Sequence, residues 1–300
     1  MIDFAGLQFT ILAIAINIDP DLARFGQFVF AWHGVFSAIG VIVGVSLGVS
    51  IAASAGANED HAYTLALLSV AGGIIGARLF HVLDKFEYYR EHPEQIILVS
   101  EGGIAIYGGI VGGVITGALY AKLRGINLAA VADGGGIGLI IGQAIGRIGD
   151  VINGEHHGVP FDAWWAVVYT HPNTLGVVGQ PVHLAVGYEL LWGLLIFALL
   201  MTLRSRYAGT GRIFWLYVLL YGIGRFWVSF YRVDTLVLAG LSQAQIIAII
   251  GVVLSIGGLI WTTYIRPIQV PDRADLDDEE LDDNELDESA NLDSGVSRTV

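Results

Sequence analysis

Seven apolar runs, each close to twenty residues long, constrain the fold of this chain more than any other feature. A helix needs about 20 apolar residues to cross the hydrocarbon core of a bilayer. Backbone groups in lipid must be hydrogen-bonded within their own segment, and the runs show no alternation of apolar and polar residues. With 54% hydrophobic and 14% charged residues, the chain is therefore predicted to be an all-α, polytopic integral membrane protein. Its seven transmembrane helices are expected at residues 29–54, 62–83, 102–121, 127–145, 182–203, 211–230 and 243–265.

The runs place residues 1–270 in a single seven-helix transmembrane domain. Before the first run, the apolar stretch 5–18 is too short to cross a membrane and ends at Asp19. It predicts an interfacial helix within an outer segment formed by residues 1–28. The stretch lacks a preceding basic region, which argues against a cleaved signal peptide.

The last thirty residues have a different composition from the rest of the chain. Residues 271–300 contain twelve acidic residues and two arginines, which account for −10 of the net charge of −13. A run of like charge without aromatic residues predicts a disordered, solvated tail. No basic patch is present, so nucleic acid is not expected as a partner. The chain has no cysteine, which excludes thiolate metal sites and a covalent thiol intermediate on the protein.

Basic residues in the short connections predict the orientation of the chain, because cytoplasmic loops are enriched in lysine and arginine. They follow the third, fifth and seventh runs, which places the N-terminus outside and the C-terminus and acidic tail in the cytoplasm. The segment 146–181 is then an arm and loop on the outer side. The basic residues concerned are Lys122, Arg124, Arg204, Arg206, Arg212 and Arg266.

Three arginines lie in or against apolar runs, where a cation costs on the order of 3 kcal/mol on insertion scales. Arg225 has no carboxylate near it in the sequence before Asp234, so it is expected to bind an external anion. A guanidinium group matches a phosphate in bidentate fashion, which makes a phospholipid head group the natural ligand. Arg147 shares this expectation. Arg78 is expected either to contact the same ligand or to pair with Asp84 or Glu101.

The stretch GRIGDVINGEHHG, residues 146–158, concentrates polar groups at the end of the fourth run. Asp150, Asn153 and Glu155 are expected to hold Arg147 in place and to contact the substrate. Adjacent histidines do not share a helix face, so His156 and His157 do not predict a metal site, and neither a metal nor another cofactor is expected. His33 and His183, near the outer ends of two runs, are candidate proton carriers or hydrogen-bonded structural residues.

These motifs resemble the bacterial prolipoprotein diacylglyceryl transferase family, whose signature reads Gly-Arg-x-Gly-Asn-x-x-Asn-x-Glu. The resemblance covers about residues 30–265. Six segments match the family in order: HG at 33–34, IGARLFHVLD at 75–84, EGGIAIYGG at 101–109, GRIGDVINGEHHG, QPVH followed by YELLW at 180–192, and YGIGRFWVSFYR at 221–232.

The resemblance implies a seven-span enzyme of the inner membrane with no cofactor. Its partners would be phosphatidylglycerol, the lipobox cysteine of a prolipoprotein signal peptide, and membrane lipids. Arg147 and Arg225 match the two family arginines and would bind the phosphate, with Tyr221 one helical turn before the second. The lipobox thiolate would attack the glycerol carbon, and the two guanidinium groups would stabilise charge on the departing phosphate.

The sequence departs from the family at the positions that concern proton transfer. The family histidine is Tyr107 here, the signature asparagine is Asp150, an expected carboxylate is Ser229, and Leu184-Ala185 replaces a Pro-Thr/Ser stretch. A phenol is a poor base at neutral pH, so Tyr107 is expected to orient the substrate and His33 to accept the proton. Two alternatives remain: a diverged member that binds lipid without turnover, and a lipid or anion transporter, although no inverted repeat is evident.

Overall fold

A computed structural model describes residues 13–26, 28–98 and 102–265 of the chain. Seven helices in these ranges are long and apolar enough to cross a membrane, which confirms the predicted number of spans. The helices are α1 (Trp32–Ser54), α2 (Glu59–Asp84), the short α3 (Phe86–Glu91), α4 (Ile106–Arg124), α5 (Leu128–Asn153), α6 (Ala185–Tyr207), α7 (Arg212–Val228) and α8 (Gln243–Ile260). A 3₁₀ turn, Pro93–Ile97, follows α3; another, Ser229–Tyr231, extends α7; and a π turn, Trp261–Ile265, extends α8.

The prediction of an all-α fold is wrong outside the spans, where the described residues form seven short strands. Strands β1 (Ile14–Ile16), β4 (Val167–Tyr169) and β5 (Pro181–Val182) form one sheet, in the order β1-β4-β5. Strand β2 (Asp21–Phe25) pairs with β3 (Phe28–Ala31), and β6 (Leu236–Leu238) pairs with β7 (Leu241–Ser242), both antiparallel. All seven strands lie outside the membrane-spanning helices.

The prediction of an interfacial helix at residues 5–18 is also wrong in the part that the structure describes, residues 13–18. Residues Ile14–Ile16 form a strand parallel to β4, in which the Ile14 backbone N–H donates to Ala166 and Ile16 accepts from Thr170. The pattern was ambiguous because a short apolar run fits a buried strand as well as a helix. Residues 5–12, the acidic tail and Glu101 lie outside the described residues.

Helices α1 and α5 pack backbone to backbone through facing glycines. A Cβ atom added at Gly40 would lie 2.5 Å from the Gly142 carbonyl oxygen, and one added at Gly44 would lie 2.5 Å from that of Gly138. Gly48 and Gly134 continue the row. Small residues drive association inside membranes because they allow close van der Waals contact where no hydrophobic effect operates. This contact fixes the start of α1 against the end of α5.

One cluster of buried side chains lies between α1, α5, α6 and α7. They are Ile51, Ile137, Ile140, Ile196, Leu200, Ile213 and Tyr217. The motifs with polar residues lie at helix termini: GRIGDVINGEHHG at the end of α5, YELLW at the start of α6, YGIGRFWVSFYR at the end of α7 and HG at the start of α1. In an up-and-down bundle these four termini lie at the same end.

A fully buried carboxylate ties α7 to α5. Asp133 accepts hydrogen bonds from the backbone N–H groups of Gly211 (2.8 Å) and Phe214 (2.9 Å). The first N–H groups of a helix have no partner within the helix, and a negative charge there is stabilised by the helix dipole. Asp133 therefore caps α7 from a neighbouring helix and sets the position of the helix that carries Arg225.

Candidate functional site

Arg147 lies in the last two turns of α5, which continues eight residues beyond the predicted end of the span. The helix stops at Gly154, whose φ of 78° suits glycine at a left-handed C-cap. The Arg147 guanidinium donates to Asp150 Oδ2 at 2.6 Å and pairs with Glu189 Oε2 at 2.5 Å. Its side chain is 24% exposed, so these carboxylates supply most of its polar contacts.

Glu189, at the start of α6, joins the two arginines that the sequence predicted to converge. Its other oxygen accepts a hydrogen bond from Arg225 of α7 and lies 3.3 Å from Arg232 Nη1. The carboxylate is 9% exposed and contacts three guanidinium groups. Arg225 therefore has a carboxylate partner in space that its neighbours in the sequence do not supply. Its partner comes from a helix 36 residues earlier in the chain.

Arg232 and Asp234 complete the far side of the cluster, just beyond α7. The Arg232 Nε atom lies 3.5 Å from Asp234 Oδ1, and Arg225 Nη2 lies 3.9 Å from Asp234 Oδ2. Burial lowers the pKa of the Arg232 guanidinium, and Glu189 opposes that shift. Ser229, where the family suggested a carboxylate, donates from its hydroxyl to the Arg225 carbonyl oxygen instead.

His33 and Asp150 extend the cluster to α1. His33 Nδ1 lies 2.5 Å from Asp150 Oδ1 and 3.6 Å from Glu155 Oε2. The Asn153 side-chain amide donates to Glu155 at 3.5 Å. The sequence grouped Asp150, Asn153 and Glu155 around Arg147; of these, Asp150 contacts Arg147 directly, whereas Glu155 pairs with His33. The approach of His33 to this group was not predicted.

His33, Asp150 and Glu155 have ligand-type atoms within 4.8 Å of one another, a spacing that would also suit a cation. Both oxygens of Asp150 already have protein partners, His33 on one and Arg147 on the other. We therefore treat the three side chains as part of the ion-pair cluster. The cluster consists of His33, three arginines and four carboxylates: Arg147, Arg225 and Arg232 with Asp150, Glu189 and Asp234, and Glu155, which pairs with His33.

A narrow cavity adjoins Arg147, Glu189 and Arg225. Tyr221 lines it one helical turn before Arg225, together with apolar and small residues of α5, α6 and α7. Tyr107, the second residue of α4, lies near Arg225, Asp234 and Tyr221. The structure thus brings Arg147, Arg225, Tyr221 and Tyr107 to one region.

Arg78 lies outside this group. Its guanidinium donates to the backbone carbonyl oxygens of Gln95, Ile96, Gly102 and Gly103 at 2.5–2.8 Å and lies over the Tyr89 ring. Asp84, proposed as its partner, pairs with Lys85. Arg78 therefore holds the connection between α2 and α4 in its described part. This is the connection that leads into Tyr107.

The long connection after α5 lies over the cluster. Tyr169 of β4 donates from its buried hydroxyl to the Val151 carbonyl, and burial raises its pKa to about 12. The His183 ring stacks on Phe161 at 3.7 Å, and burial lowers its pKa. An open cleft of about 350 Å³, lined by His156, His157 and Arg232 among others, lies beside the cluster. The connection after α5 therefore borders the cluster on the side of Arg232.

Glu189 is the principal site residue that the sequence reasoning missed, although a signal was present. The YELLW segment places an ionisable residue inside a predicted span, and such residues are functional by default. Arg232 carried a weaker signal, because it follows the end of the predicted span and resembles a loop arginine. Asp133 was not predicted as a structural residue, although it too is ionisable and lies within a predicted span, next to a run of glycines.

Seven apolar helices with a buried guanidinium–carboxylate cluster at one end define this chain as a multi-pass membrane protein with a polar site. The family model for "Prolipoprotein diacylglyceryl transferase" matches residues 20–261. The chain therefore belongs to the prolipoprotein diacylglyceryl transferase family, as its motifs predicted.

Curated relatives support this membership over most of their length. The chain is 36% identical over 234 residues to the phosphatidylglycerol–prolipoprotein diacylglyceryl transferase of Clostridioides difficile (strain 630), which covers 78% of this chain and 90% of the relative. It is 37% identical to the enzyme of the same name from Nostoc sp. (84% and 92% covered). It is 35% identical to that of Bacillus cereus (strain B4264) (82% and 93% covered).

Proposed function

We propose that the cluster around Glu189 is where this chain carries out the reaction of its family. The chain is a phosphatidylglycerol–prolipoprotein diacylglyceryl transferase: it moves the diacylglyceryl group of phosphatidylglycerol to a prolipoprotein. One observation carries the assignment of the site. Arg147 and Arg225, distant in sequence, meet on opposite oxygens of one carboxylate.

Glu189 marks the position of an anion. A carboxylate that receives guanidinium groups from two helices occupies the kind of position that suits the phosphate of a lipid head group. We infer that the phosphate enters from the adjoining cavity and takes over part of these contacts. Both guanidinium groups are held in advance by Asp150 and Asp234, so little reorganisation is needed when charge grows on the phosphate.

The bond changes follow from the substrates. The sulfur of the lipobox cysteine loses its proton and attacks C3 of the diacylglyceryl glycerol, forming a carbon–sulfur bond. The bond between C3 and the phosphate oxygen breaks, and its electron pair goes to that oxygen, so glycerol phosphate leaves with an added negative charge. Arg147 and Arg225 stabilise this charge, the contribution that usually lowers a barrier most.

The remaining predicted site residues are assigned positioning and contact roles. Tyr221 and Tyr107 contact the lipid beside Arg225, and His33 accepts the thiol proton. Asn153 and Glu155 hold the end of α5, and Asp150 holds Arg147. Arg78 positions the connection that leads into Tyr107 and makes no direct substrate contact.

We propose that the site faces outward from the cytoplasmic membrane, with the N-terminus outside. Five basic residues lie at the helix ends opposite the cluster: Lys122 and Arg124 end α4, Arg204 and Arg206 end α6, and Arg212 begins α7. The positive-inside rule then places the cluster at the outer leaflet, where a secreted prolipoprotein presents its signal peptide.

Substitution of the two arginines tests the assignment. Arg147→Lys and Arg225→Lys keep the charge but lose bidentate geometry, and each is expected to reduce transfer of labelled diacylglyceryl to a lipobox peptide by more than tenfold. Arg206→Ala, an exposed arginine at the opposite end, is the matched control and should retain the wild-type rate. Wild-type rates in both lysine variants would refute the site. Lipid binding without transfer in the wild-type protein would favour a diverged, non-catalytic member.

A further inference from the structure

His33 is placed to act together with Asp150 rather than alone. It is the second residue of α1, and its Nδ1 atom lies 2.5 Å from Asp150 Oδ1. The Asp150 side chain is 3% exposed, whereas that of His33 is 45% exposed. A buried carboxylate thus holds one ring nitrogen while much of the imidazole ring remains open to a substrate.

This contact determines the tautomer of the histidine. A carboxylate accepts only, so the Nδ1 atom carries the hydrogen that it shares with Asp150. In the neutral ring, Nε2 is then the nitrogen with a free lone pair. Within the described ranges, Nε2 has no hydrogen-bond partner in the protein. The ring therefore presents an unprotonated nitrogen at its accessible edge.

The backbone fixes the pair in place. A Cβ atom added at Gly149 would lie 2.6 Å from His33 Cα, so α5 and the start of α1 are in direct contact beside the two side chains. The glycine row along α1 and α5 extends this contact. Such rigid support is what a proton acceptor requires, because the reacting atoms must be held in hydrogen-bond range.

Asp150 also connects the histidine to the phosphate site. Its second oxygen accepts from Arg147, so a single carboxylate contacts both the proposed base and one of the two guanidinium groups. The charged groups that face His33 are Asp150, Glu155 and Arg147. Two carboxylates and one guanidinium group therefore border the ring.

We propose that His33 and Asp150 form a histidine–carboxylate pair that takes the thiol proton, with Asp150 as the positioning residue. The proposal rests on the proposed function. The proton moves from sulfur to His33 Nε2 as the carbon–sulfur bond forms, and it leaves to solvent or to the glycerol phosphate product. The pair explains two departures from the family together: Tyr107 replaces the family histidine, and the signature asparagine is an aspartate.

Other groups of the cluster serve this purpose less well. Glu189 has both of its oxygens occupied by guanidinium groups, so neither faces a substrate thiol. Tyr107 carries a phenol, which is protonated at neutral pH. Glu155 is directed to His33 and Asn153.

An acceptor that needs no base tests the pair. A lipobox peptide with selenocysteine in place of cysteine is ionised at neutral pH, so its transfer does not depend on proton removal. His33→Gln is expected to reduce transfer to the cysteine peptide at pH 7 by about 100-fold or more, and to reduce transfer to the selenocysteine peptide by less than tenfold. Equal losses with both peptides, or no loss with either, would overturn the proposal.

The pH profile supplies an independent measurement, because a thiol ionises without help above its pKa of about 8.5. The deficit of His33→Gln should shrink between pH 7 and pH 9.5. His61→Gln, at the opposite end of the bundle, is the matched control and should follow the wild-type profile. A deficit of constant size across this range would show that His33 acts through structure alone.

Asp150→Asn tests the positioning role. In a double-mutant cycle with His33→Gln, the transfer losses should be strongly non-additive, because the aspartate acts partly through the histidine. Additive losses would contradict the pair.

Transfer that a chelator abolishes and a divalent cation restores would overturn the proposed pair in favour of a metal site. If the wild-type protein transfers lipid to neither peptide, the proposed function fails rather than the pair.

Discussion

Glu189 accepts a hydrogen bond from Arg225 across the α6–α7 interface, and its second oxygen pairs with Arg147 of α5. Three transmembrane helices are thus joined through one side chain at the end of the bundle. Under the proposed function, a phosphate that binds between the two arginines would compete with this carboxylate. The same ion-pair cluster would then both hold the helices together and bind an anion.

The first prediction concerns this competition. Glu189→Gln removes the internal anion, so binding of phosphatidylglycerol should strengthen several-fold while the protein becomes less heat-stable. Breaking one side of a buried ion pair typically costs about 3–5 kcal/mol. Titration with phosphatidylglycerol and phosphatidylcholine in nanodiscs, together with thermal unfolding, measures both effects. Glu189→Asp keeps the charge and is the control. Weaker binding of phosphatidylglycerol by Glu189→Gln would show that Glu189 supports the site rather than competing in it.

The second prediction concerns the glycine contact of α1 and α5. Gly138→Ala places a methyl group against the Gly44 carbonyl and forces the helices apart, which should cost about 1–3 kcal/mol. The apparent melting temperature should fall, and transfer should fall with it, because His33 and Arg147 lie on these two helices. Gly257→Ala in α8, where a Cβ atom would meet nothing within 4 Å, is the control and should leave both unchanged. Equal effects of the two substitutions would contradict the packing argument.

The third prediction concerns the cap of α7. Asp133→Asn retains one acceptor oxygen but turns an amide N–H₂ toward a backbone N–H, so one hydrogen bond to α7 is lost. The expected destabilisation is about 1–3 kcal/mol. Because α7 carries Arg225, the KM for phosphatidylglycerol should also rise. Asn127→Ala, which removes the N-cap of α5 at the same end, should lower stability by about 1 kcal/mol with no change in KM. An unchanged KM in Asp133→Asn would show that the capping of α7 does not affect the binding of phosphatidylglycerol.

The fourth prediction concerns acid stability. Burial, and then the charge of Arg232, lower the pKa of His156 in the folded protein below its ordinary value of 6.5. The unfolded chain then binds more protons than the folded one as the pH falls below about 6.5, so stability is lost on acidification. His156 has a φ of 54°, which asparagine tolerates well. His156→Asn should therefore flatten the dependence of the apparent melting temperature on pH between 7.5 and 5.5. If the melting temperature of the variant changes with pH as steeply as that of the wild-type protein, His156 is not the source of the acid sensitivity.

The sequence predicted the seven spans because their signal is local: each run is long and apolar enough on its own. Their ends depended on tertiary partners. Helix α5 continues past residue 145 because Arg147 pairs with Glu189 of α6 and Asp150 contacts His33 of α1, and it ends where Gly154 permits a left-handed backbone. The strand Ile14–Ile16 was missed because its partner, Val167–Tyr169, is more than 150 residues away.

The site shows the same division between local and long-range information. Arg147 and Arg225 were found individually, because each is a cation in an apolar run. Their meeting at Glu189 could not be derived, because it depends on how α5, α6 and α7 pack. The contact between His33 and Asp150 spans 117 residues and depends on the glycine row that brings α1 against α5.

Arg78 reaches the connection before α4 through four main-chain carbonyl oxygens. Every residue type supplies such an oxygen, so replacements at Gln95 or Ile96 leave these bonds intact. Gly102 and Gly103 are more constrained, because both have a positive φ and a Cβ atom added at Gly103 would lie 2.6 Å from the Arg78 guanidinium. Natural variants of this enzyme can consequently accumulate changes at Gln95 and Ile96 without redirecting the chain that delivers Tyr107.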